Sequence, residues 1–291
     1  MSDNLTPFLS PILIDKAVRA ALHEDLGDAG DITTNSTIPA DAIATATMST
    51  REDGILAGID LAKATFAAID NTVEFNILAN DTTHISAGTK VAEISGNARS
   101  ILSSERVALN YLMRMSGIAT YTAKFRDLIS HTQAKICDTR KTTPGHRAFD
   151  KYAVKCGGGS NHRFGLYDAV LIKDNHIAVA GGVELAINRA RAYGGHLVQV
   201  EIEVDTLEQL AEALKARPDA VLLDNMSLET LAKAVEQNNS VDGGRTKLEA
   251  SGNVNIDTVK AIADTGVDYI STSKITMAAP TLDLGLDITI S

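Results

Sequence analysis

The spacing of apolar residues predicts that the first hundred residues form a small mixed α+β unit. Apolar side chains at three- and four-residue steps predict amphipathic helices, whereas strict alternation predicts half-buried strands. By these rules helices are predicted over 12–25 and 59–69, a loop over 27–37, and strands over 42–49, 73–78 and 90–94. Such a mixture is typical of an α+β arrangement.

A long helical pattern follows over 101–115, and a second helix is predicted to extend to about residue 130. Gly117 stands between them and is expected to end or kink the first helix, because glycine is a poor helix former. The sequence therefore predicts two successive helices here.

Beyond residue 130, short apolar strands alternate with helices, which is the pattern of parallel βαβ units. Strands are predicted over 134–138, 169–174, 197–204, 220–224, 247–250 and 269–271, and helices over 182–193, 207–216, 228–236 and 256–265. Six strands indicate an irregular or incomplete (β/α) barrel. An open doubly wound sheet is the alternative, although no dinucleotide glycine fingerprint follows the first strand. Residues 139–167 interrupt the rhythm, and long excursions of this kind are usually functional.

Composition narrows the class of protein. The 291 residues are 44% hydrophobic and carry a formal net charge of −10, which excludes a disordered chain and disfavours a nucleic-acid coat. Two cysteines, Cys137 and Cys156, make no disulfide framework and favour a reducing compartment. The sequence shows neither an apolar run of membrane-spanning length nor a signal-peptide pattern. We therefore expect a cytoplasmic protein without membrane or nucleic-acid partners.

A basic island lies in the middle of this acidic chain. Residues 135–176 hold eight Lys or Arg and four Asp or Glu, together with three of the seven histidines. The island indicates an anion site, with a solvated charged face as the alternative. Arg140 and Lys141 directly follow one predicted strand, and Lys173 lies at the tip of another. Active sites of (β/α) barrels lie at these carboxyl ends of strands.

Carboxylates also occur at the strand tips. Glu201 and Glu203 are two positions apart on one predicted strand, so their side chains point to the same face. Asp224 ends an apolar strand, where a carboxylate needs a metal, a cation or a polar ligand. For each acid taken alone, an internal salt bridge is the alternative. Proteins hold Mg²⁺ through one or two carboxylates plus substrate phosphates, so Glu203 and Asp224 are candidate Mg²⁺ ligands.

Two further features have chemical potential. The segment 251–253 lies between a predicted strand and the helix predicted from Ile256, where backbone N–H groups and the helix dipole can hold a phosphate. Lys173 can alternatively form a Schiff base, as lysines do in barrel aldolases. A lyase that uses Lys173 is therefore a second candidate function, and a non-catalytic anion-binding protein is a third.

Three segments together resemble the quinolinate phosphoribosyltransferase family, whose members are the decarboxylating transferases of de novo NAD synthesis. These segments span 138–145, 151–163 and 171–176. Supporting matches lie over 24–34, 104–110, 116–120, 222–225 and 249–252. The matches cover nearly the whole chain in the family's order, so their combination is far more specific than any single glycine-rich loop.

The resemblance implies a two-domain α/β fold. An N-terminal α/β sandwich is expected over 1–116 and an irregular seven-stranded (β/α) barrel of the type II phosphoribosyltransferase kind over 117–280. The tail 281–291 is expected to return to the first domain as a strand. The family forms at least a homodimer, which implies that Arg106 reaches the active site of the neighbouring subunit.

The resemblance also implies a cationic pocket for quinolinate and for the phosphates of phosphoribosyl pyrophosphate. Its expected members are Arg140, Lys141, His162, Arg163 and Lys173. Lys141 or His162 is the expected proton donor after decarboxylation, and we count Lys141 among the catalytic residues.

The remaining implied roles concern the ribose, its Mg²⁺ and its phosphate. Glu203 and Asp224 are the other expected catalytic residues and face the ribose and Mg²⁺, directly or through substrate or water. Ser251 and Gly252 are expected to hold the 5′-phosphate. Ser273 stands where the family often has a phosphate-side glycine, and it keeps the backbone N–H that binding needs.

Overall fold

The computed structural model describes residues 7–241 and 246–290 and forms two compact units. The first, which we call the N-terminal unit, comprises the described parts of 1–123, 148–158 and 279–291. The second, the barrel unit, comprises the described parts of 124–147 and 159–278. The boundary predicted after residue 116 lies inside a helix, and residues 148–158 fall within the N-terminal unit.

The elements have the following bounds. The helices are α1 Pro11–Leu26, α2 Ile32–Thr37, α3 Ile59–Ile69, α4 Ala98–Leu128, α5 Arg147–Cys156, α6 Asp174–Ala180, α7 Val183–Tyr193, α8 Leu207–Ala216, α9 Leu228–Asn239, α10 Val259–Asp264 and α11 Lys274–Met277. The strands are β1 Ile43–Thr50, β2 Gly54–Ile55, β3 Glu74–Ile77, β4 His84–Ile85, β5 Lys90–Asn97, β6 Lys135–Cys137, β7 Val170–Ile172, β8 Val200–Val204, β9 Ala220–Asp224, β10 Lys247–Ser251, β11 Tyr269–Ser271 and β12 Leu284–Ile290.

The N-terminal unit is built on an antiparallel sheet of order β12-β1-β5-β3. Strand β1 alternates buried and more exposed positions, as its sequence pattern predicts, and its buried Met48 packs in a core with Phe66 and Ile94. Strand β12 lies antiparallel to β1, with Thr50 opposite Leu284. Residues distant in sequence thus complete one sheet.

Helix α2 lies where the sequence predicted a loop. The Asp31 side chain caps it by accepting a hydrogen bond from the Thr34 backbone N–H at 2.9 Å. This capping contact stabilises a short helix in a segment whose glycines and threonines otherwise favour a turn.

The prediction that Gly117 ends or kinks a helix is wrong, because α4 continues through it. A Cβ atom at Gly117 would lie 2.0 Å from the backbone oxygen of Pro280. Glycine is present there because another stretch of the N-terminal unit passes directly against the helix backbone.

The barrel unit has a parallel sheet of order β6-β11-β10-β9-β8-β7 within its described residues. Fully buried Val221 and Leu223 explain why β9 has a continuous apolar sequence, whereas β8 alternates buried apolar residues with the half-buried Glu201 and Glu203. The resemblance implies seven strands, and beyond the six Ser160 adds a single parallel bridge beside Cys137. Two residues beyond this bridge, the His162 N–H donates to the Asp138 carboxylate at 2.9 Å.

Helix α5 was not predicted within the interval 139–167. Apolar side chains recur along it at helical spacing, a signal that the sequence analysis missed, and the charged Asp150 and Lys151 are buried beside them. Arg114 of the same unit lies 3.7 Å from Asp150. Within the described residues, no helix is both long and apolar enough to span a bilayer.

Candidate active site

A cavity of about 790 Å³ opens at the carboxyl ends of the barrel strands. Each of β7 to β11 contributes a residue at or next to its end, because the carboxyl ends of parallel strands meet at one edge. Ten of the eleven predicted site residues line this cavity: Arg140, Lys141, His162, Arg163, Lys173, Glu203, Asp224, Ser251, Gly252 and Ser273. The eleventh, Arg106, is exposed on helix α4 of the N-terminal unit.

Strand register fixes the relative positions of Glu203, Asp224 and Ser251. Glu203 pairs with Leu222, and Asp224 pairs with Ser251 on the next strand. Neighbouring parallel strands therefore present these polar side chains at the same edge of the sheet.

Lys173 and Glu203 form a close ion pair. The Lys173 Nζ lies 2.5 Å from Glu203 Oε2, and the Lys173 backbone N–H donates to His176 Nδ1 at 2.9 Å. A Schiff-base lysine needs an unprotonated amine, which an ion pair with a carboxylate disfavours. The contact therefore argues against the lyase alternative.

Hydrogen bonds fix the orientation of the His162 ring. Its Nδ1 accepts from the Arg163 backbone N–H at 2.8 Å, so the proton of the neutral ring lies on Nε2. Nε2 donates to Glu201 Oε2 at 2.9 Å. His162, Glu201 and Glu249 offer ligand atoms within 4.8 Å of one another, but a metal would need Nε2 unprotonated. This cluster is therefore a hydrogen-bonded support rather than a metal cage.

Glu249 is a cavity residue that the sequence analysis did not single out as functional. It is 5% exposed, and its Oε1 atom has no hydrogen-bond partner among the described residues. Burial, followed by repulsion from Glu201, raises the pKa of the Glu249 carboxyl. The available signal was period two: Glu249 precedes Ser251 by two positions on β10, as Glu201 precedes Glu203 on β8.

Arg163 presents a cation with spare hydrogen-bonding capacity. Its Nη1 donates to the Ala169 backbone oxygen at 3.0 Å, while its buried Nε has no partner in the described part of the chain. Burial and the neighbouring charge of Arg140 lower the pKa of Arg163. An anion that binds beside these two arginines relieves both costs.

Asp224 and Gly252 are joined through Asn225. The Asn225 Nδ2 donates to Asp224 Oδ2 at 2.7 Å. Gly252 has a φ of +92°, and a Cβ atom there would lie 2.1 Å from Asn225 Oδ1.

Helix α10 begins at Val259 rather than Ile256, so the helix start predicted directly beyond this segment is wrong. The chain first turns at Asn255, whose backbone oxygen accepts the Val259 N–H.

Models of both quinolinate phosphoribosyltransferase domains match the sequence. The N-terminal domain model matches residues 31–116, and the C-terminal domain model matches residues 118–287. The chain belongs to the quinolinate phosphoribosyltransferase family. The resemblance found in the sequence is therefore confirmed.

Similar proteins are found in bacteria and plants. A probable nicotinate-nucleotide pyrophosphorylase [carboxylating] of Bacillus subtilis is 41% identical over 97% of this chain and 96% of its own length. A mitochondrial quinolinate phosphoribosyltransferase [decarboxylating] of Nicotiana tabacum is 42% identical over 94% of this chain and 82% of its own. The solved structure of the nicotinate-nucleotide pyrophosphorylase from Francisella tularensis superposes on this chain with a TM-score of 0.92. The two sequences are 41% identical, and the match covers 98% of this chain and 99% of the other.

Ser273 is the residue that the sequence analysis expects where the family often has a glycine. Its φ of −78° lies in the ordinary helical region, so the position does not require glycine. Its backbone oxygen accepts hydrogen bonds from Thr276 and Met277 and thereby starts helix α11. A serine is compatible with this backbone.

Proposed function

We propose that this protein transfers the phosphoribosyl group of phosphoribosyl pyrophosphate to quinolinate with loss of CO₂. The products are nicotinate mononucleotide, CO₂ and pyrophosphate, within de novo NAD biosynthesis. The observation that carries the proposal is the gathering of Arg140, Lys141, Arg163 and Lys173 in one cavity of a chain that belongs to this family.

The cations suit the substrates. Quinolinate carries two carboxylates, and the phosphoribosyl donor carries a phosphate and a pyrophosphate. Arginine binds planar carboxylates through its fork of N–H donors, and the partnerless Nε of Arg163 supports this role among the described residues. Lysines 141 and 173 supply point charges for carboxylate or phosphate oxygens.

Glu203 and Asp224 are proposed to stabilise the positive charge that develops on the ribose as the pyridine nitrogen attacks C1 and pyrophosphate leaves. The same two carboxylates fit Mg²⁺, because hard oxygen donors that leave room for substrate phosphates are what this ion prefers. When bound, Mg²⁺ supplies charge neutralisation for the leaving pyrophosphate. Each acid already has a side-chain hydrogen bond that orients it, from Lys173 and Asn225 respectively.

We propose Lys141 rather than His162 as the proton donor to the decarboxylated ring. The His162 Nδ1 accepts a backbone N–H, and its Nε2 proton is directed to Glu201. Lys141 is exposed at the cavity, and its backbone oxygen is held by the Thr276 hydroxyl at 2.8 Å. His162 then supports the pocket by orienting the Arg163 backbone.

The homodimer and the role of Arg106 are further proposals. Its exposed position on α4 is compatible with a contact to a second copy. If Arg106 completes the neighbouring active site, an inactive Arg106→Ala protein mixed with an inactive Asp224→Ala protein regains activity in mixed dimers. Activity no greater than the sum of the parents would contradict this arrangement. The cytoplasmic location stays a prediction from the sequence.

The reaction is tested by mixing the protein with quinolinate, phosphoribosyl pyrophosphate and Mg²⁺ and measuring CO₂ and nicotinate mononucleotide. Equal amounts of both products with quinolinate, and none with nicotinate, are expected. A chelator should abolish turnover, and added Mg²⁺ should restore it. A folded protein that binds quinolinate without turnover would instead favour the anion-binding alternative.

A further inference from the structure

We propose that Arg147 is a positioning residue that holds the two anion-binding loops of the cavity together. The proposal rests on the proposed function, because it assigns a role in binding quinolinate. We define loop A as residues 139–146, which carry Arg140 and Lys141, and loop B as residues 161–168, which carry His162 and Arg163.

All three guanidinium nitrogens of Arg147 are used. Nη2 donates to the Arg140 backbone oxygen at 3.2 Å, and Nε donates to Thr142 Oγ1 at 3.1 Å, both in loop A. Nη1 donates to the Phe164 backbone oxygen at 2.9 Å, in loop B. One side chain therefore bridges two loops that are separated in sequence by helix α5.

Both loops lie outside helices and strands, so side chains must replace the missing backbone ladders. In loop A, the Lys141 N–H donates to the Thr139 hydroxyl at 3.0 Å. In loop B, the Phe164 N–H donates to the Asp168 carboxylate at 2.7 Å. Each of these contacts stays within one loop, whereas Arg147 connects them.

The bridge lies directly beside the binding cations. Arg147 holds the carbonyl of Arg140 itself, and the Phe164 carbonyl it holds follows Arg163 by one residue. Burial and, after it, repulsion from Arg140 lower the pKa of Arg163. A fixed spacing between the two loops holds Arg140 and Arg163 in place to bind one anion, which reduces the entropy lost on binding.

A planar fork is required for this geometry. Lysine has a single ammonium on a flexible stem and cannot reach three separate acceptors at once. We therefore expect Arg147→Lys to behave nearly as Arg147→Ala does, although lysine resembles arginine in charge and size.

The test compares Arg147→Ala and Arg147→Lys with Arg191→Ala. Arg191 is a matched control, because its guanidinium also joins backbone carbonyls, those of Ala216 and Arg217, and none of these residues lines the cavity. We expect the KM for quinolinate to rise about tenfold in both Arg147 variants, with a smaller change in kcat. The melting temperature should fall no further than in Arg191→Ala, whose KM should match wild type.

A double-mutant cycle separates positioning from general damage. Because Arg147 acts through Arg140, the effects of Arg147→Ala and Arg140→Ala on quinolinate KM should combine to less than their product. Arg147→Ala combined with Ser251→Ala should be multiplicative, since Ser251 lies on β10 and shares no contact with Arg147. An unchanged KM for quinolinate, or multiplicative effects in both cycles, would overturn the proposal.

Calorimetric binding of quinolinate keeps this outcome separate from the reaction itself. If wild type binds quinolinate without turnover, the proposed function fails while the same order of variants is still expected in Kd. If the Arg147 variants bind quinolinate as wild type does, the positioning role fails while the proposed function stands. Wild type that binds no quinolinate would overturn both.

Discussion

Replacing Gly252 by alanine should damage catalysis by moving Asn225 away from Asp224. Alanine at a φ of +92° carries backbone strain of about 1–2 kcal/mol. The new Cβ atom would also lie 2.1 Å from Asn225 Oδ1, so this side chain must shift by roughly an ångström to reach ordinary contact distance. That shift breaks the 2.7 Å hydrogen bond to Asp224 Oδ2, which as a bond to a charged group contributes about 1.5–3 kcal/mol.

The expected total is therefore a loss of about 2.5–5 kcal/mol, divided between folding and the transition state. If half of the hydrogen-bond contribution is lost in the transition state, kcat/KM falls about fourfold to thirteenfold. Chemical unfolding followed by circular dichroism measures the loss of folding free energy. Steady-state kinetics with varied Mg²⁺ measures the loss of transition-state stabilisation.

Gly88→Ala is the matched control for the strain alone. Gly88 has a φ of +85° in the N-terminal unit, and a Cβ atom there would meet nothing within 4 Å. This variant should lose about 1–2 kcal/mol of unfolding free energy without a change in kcat/KM. If Gly252→Ala retains kcat/KM within twofold of wild type, the coupling of Gly252 to Asp224 through Asn225 is refuted.

Three further outcomes are expected. Arg163→Ala should cost about 2–4 kcal/mol in kcat/KM, as loss of a preorganised electrostatic group does, and wild-type turnover would remove Arg163 from the site. Gly117→Ala should lower the unfolding free energy by about 1–3 kcal/mol, because its Cβ would overlap the Pro280 oxygen. Gly195→Ala should not lower it, because a Cβ atom at Gly195 meets open space. Equal stability of the two variants would contradict the close approach of Pro280 to Gly117. Burial raises the pKa of Glu249, so the unfolding free energy should decline as the pH rises above the ordinary glutamate value of 4.5. Urea titrations at several pH values should show that Glu249→Gln flattens this decline. An unchanged slope in this variant would show that Glu249 is not the source of the pH dependence.

Strand β9 could be predicted from sequence because it is buried on both faces of the sheet. Its Val221 and Leu223 are fully buried, so the strand is a short apolar run that ends in Asp224 at the cavity. The same rule located Asp224 and Ser251 at strand ends. The ten cavity residues could be named because strand tips and family motifs coincide.

Other features depend on contacts that leave no pattern in the sequence. Gly117 was assigned a helix break because local propensity cannot show that Pro280 packs against it. Helix α5 is different, because its apolar residues from Phe149 to Cys156 do recur at helical spacing, and the sequence analysis overlooked them within an interval rich in glycine and charge. Arg147 joins loop A to loop B through the backbone oxygens of Arg140 and Phe164. Every residue has such an oxygen, so the residue types in the two loops do not predict this contact.

Strand β12 has a consequence for the order in which the chain can fold. The hydroxyl of Thr50 contacts the backbone oxygen of Asp283 across a sequence separation of 233 residues, and Leu282 and Leu284 belong to the buried core beside β1. During synthesis one edge of β1 stays unpaired until β12 has been made. Strand β12 is not part of the barrel unit, whose described residues all lie between 124 and 278. Nascent chains released before β12 is made should therefore hold a formed barrel and an aggregation-prone amino-terminal half.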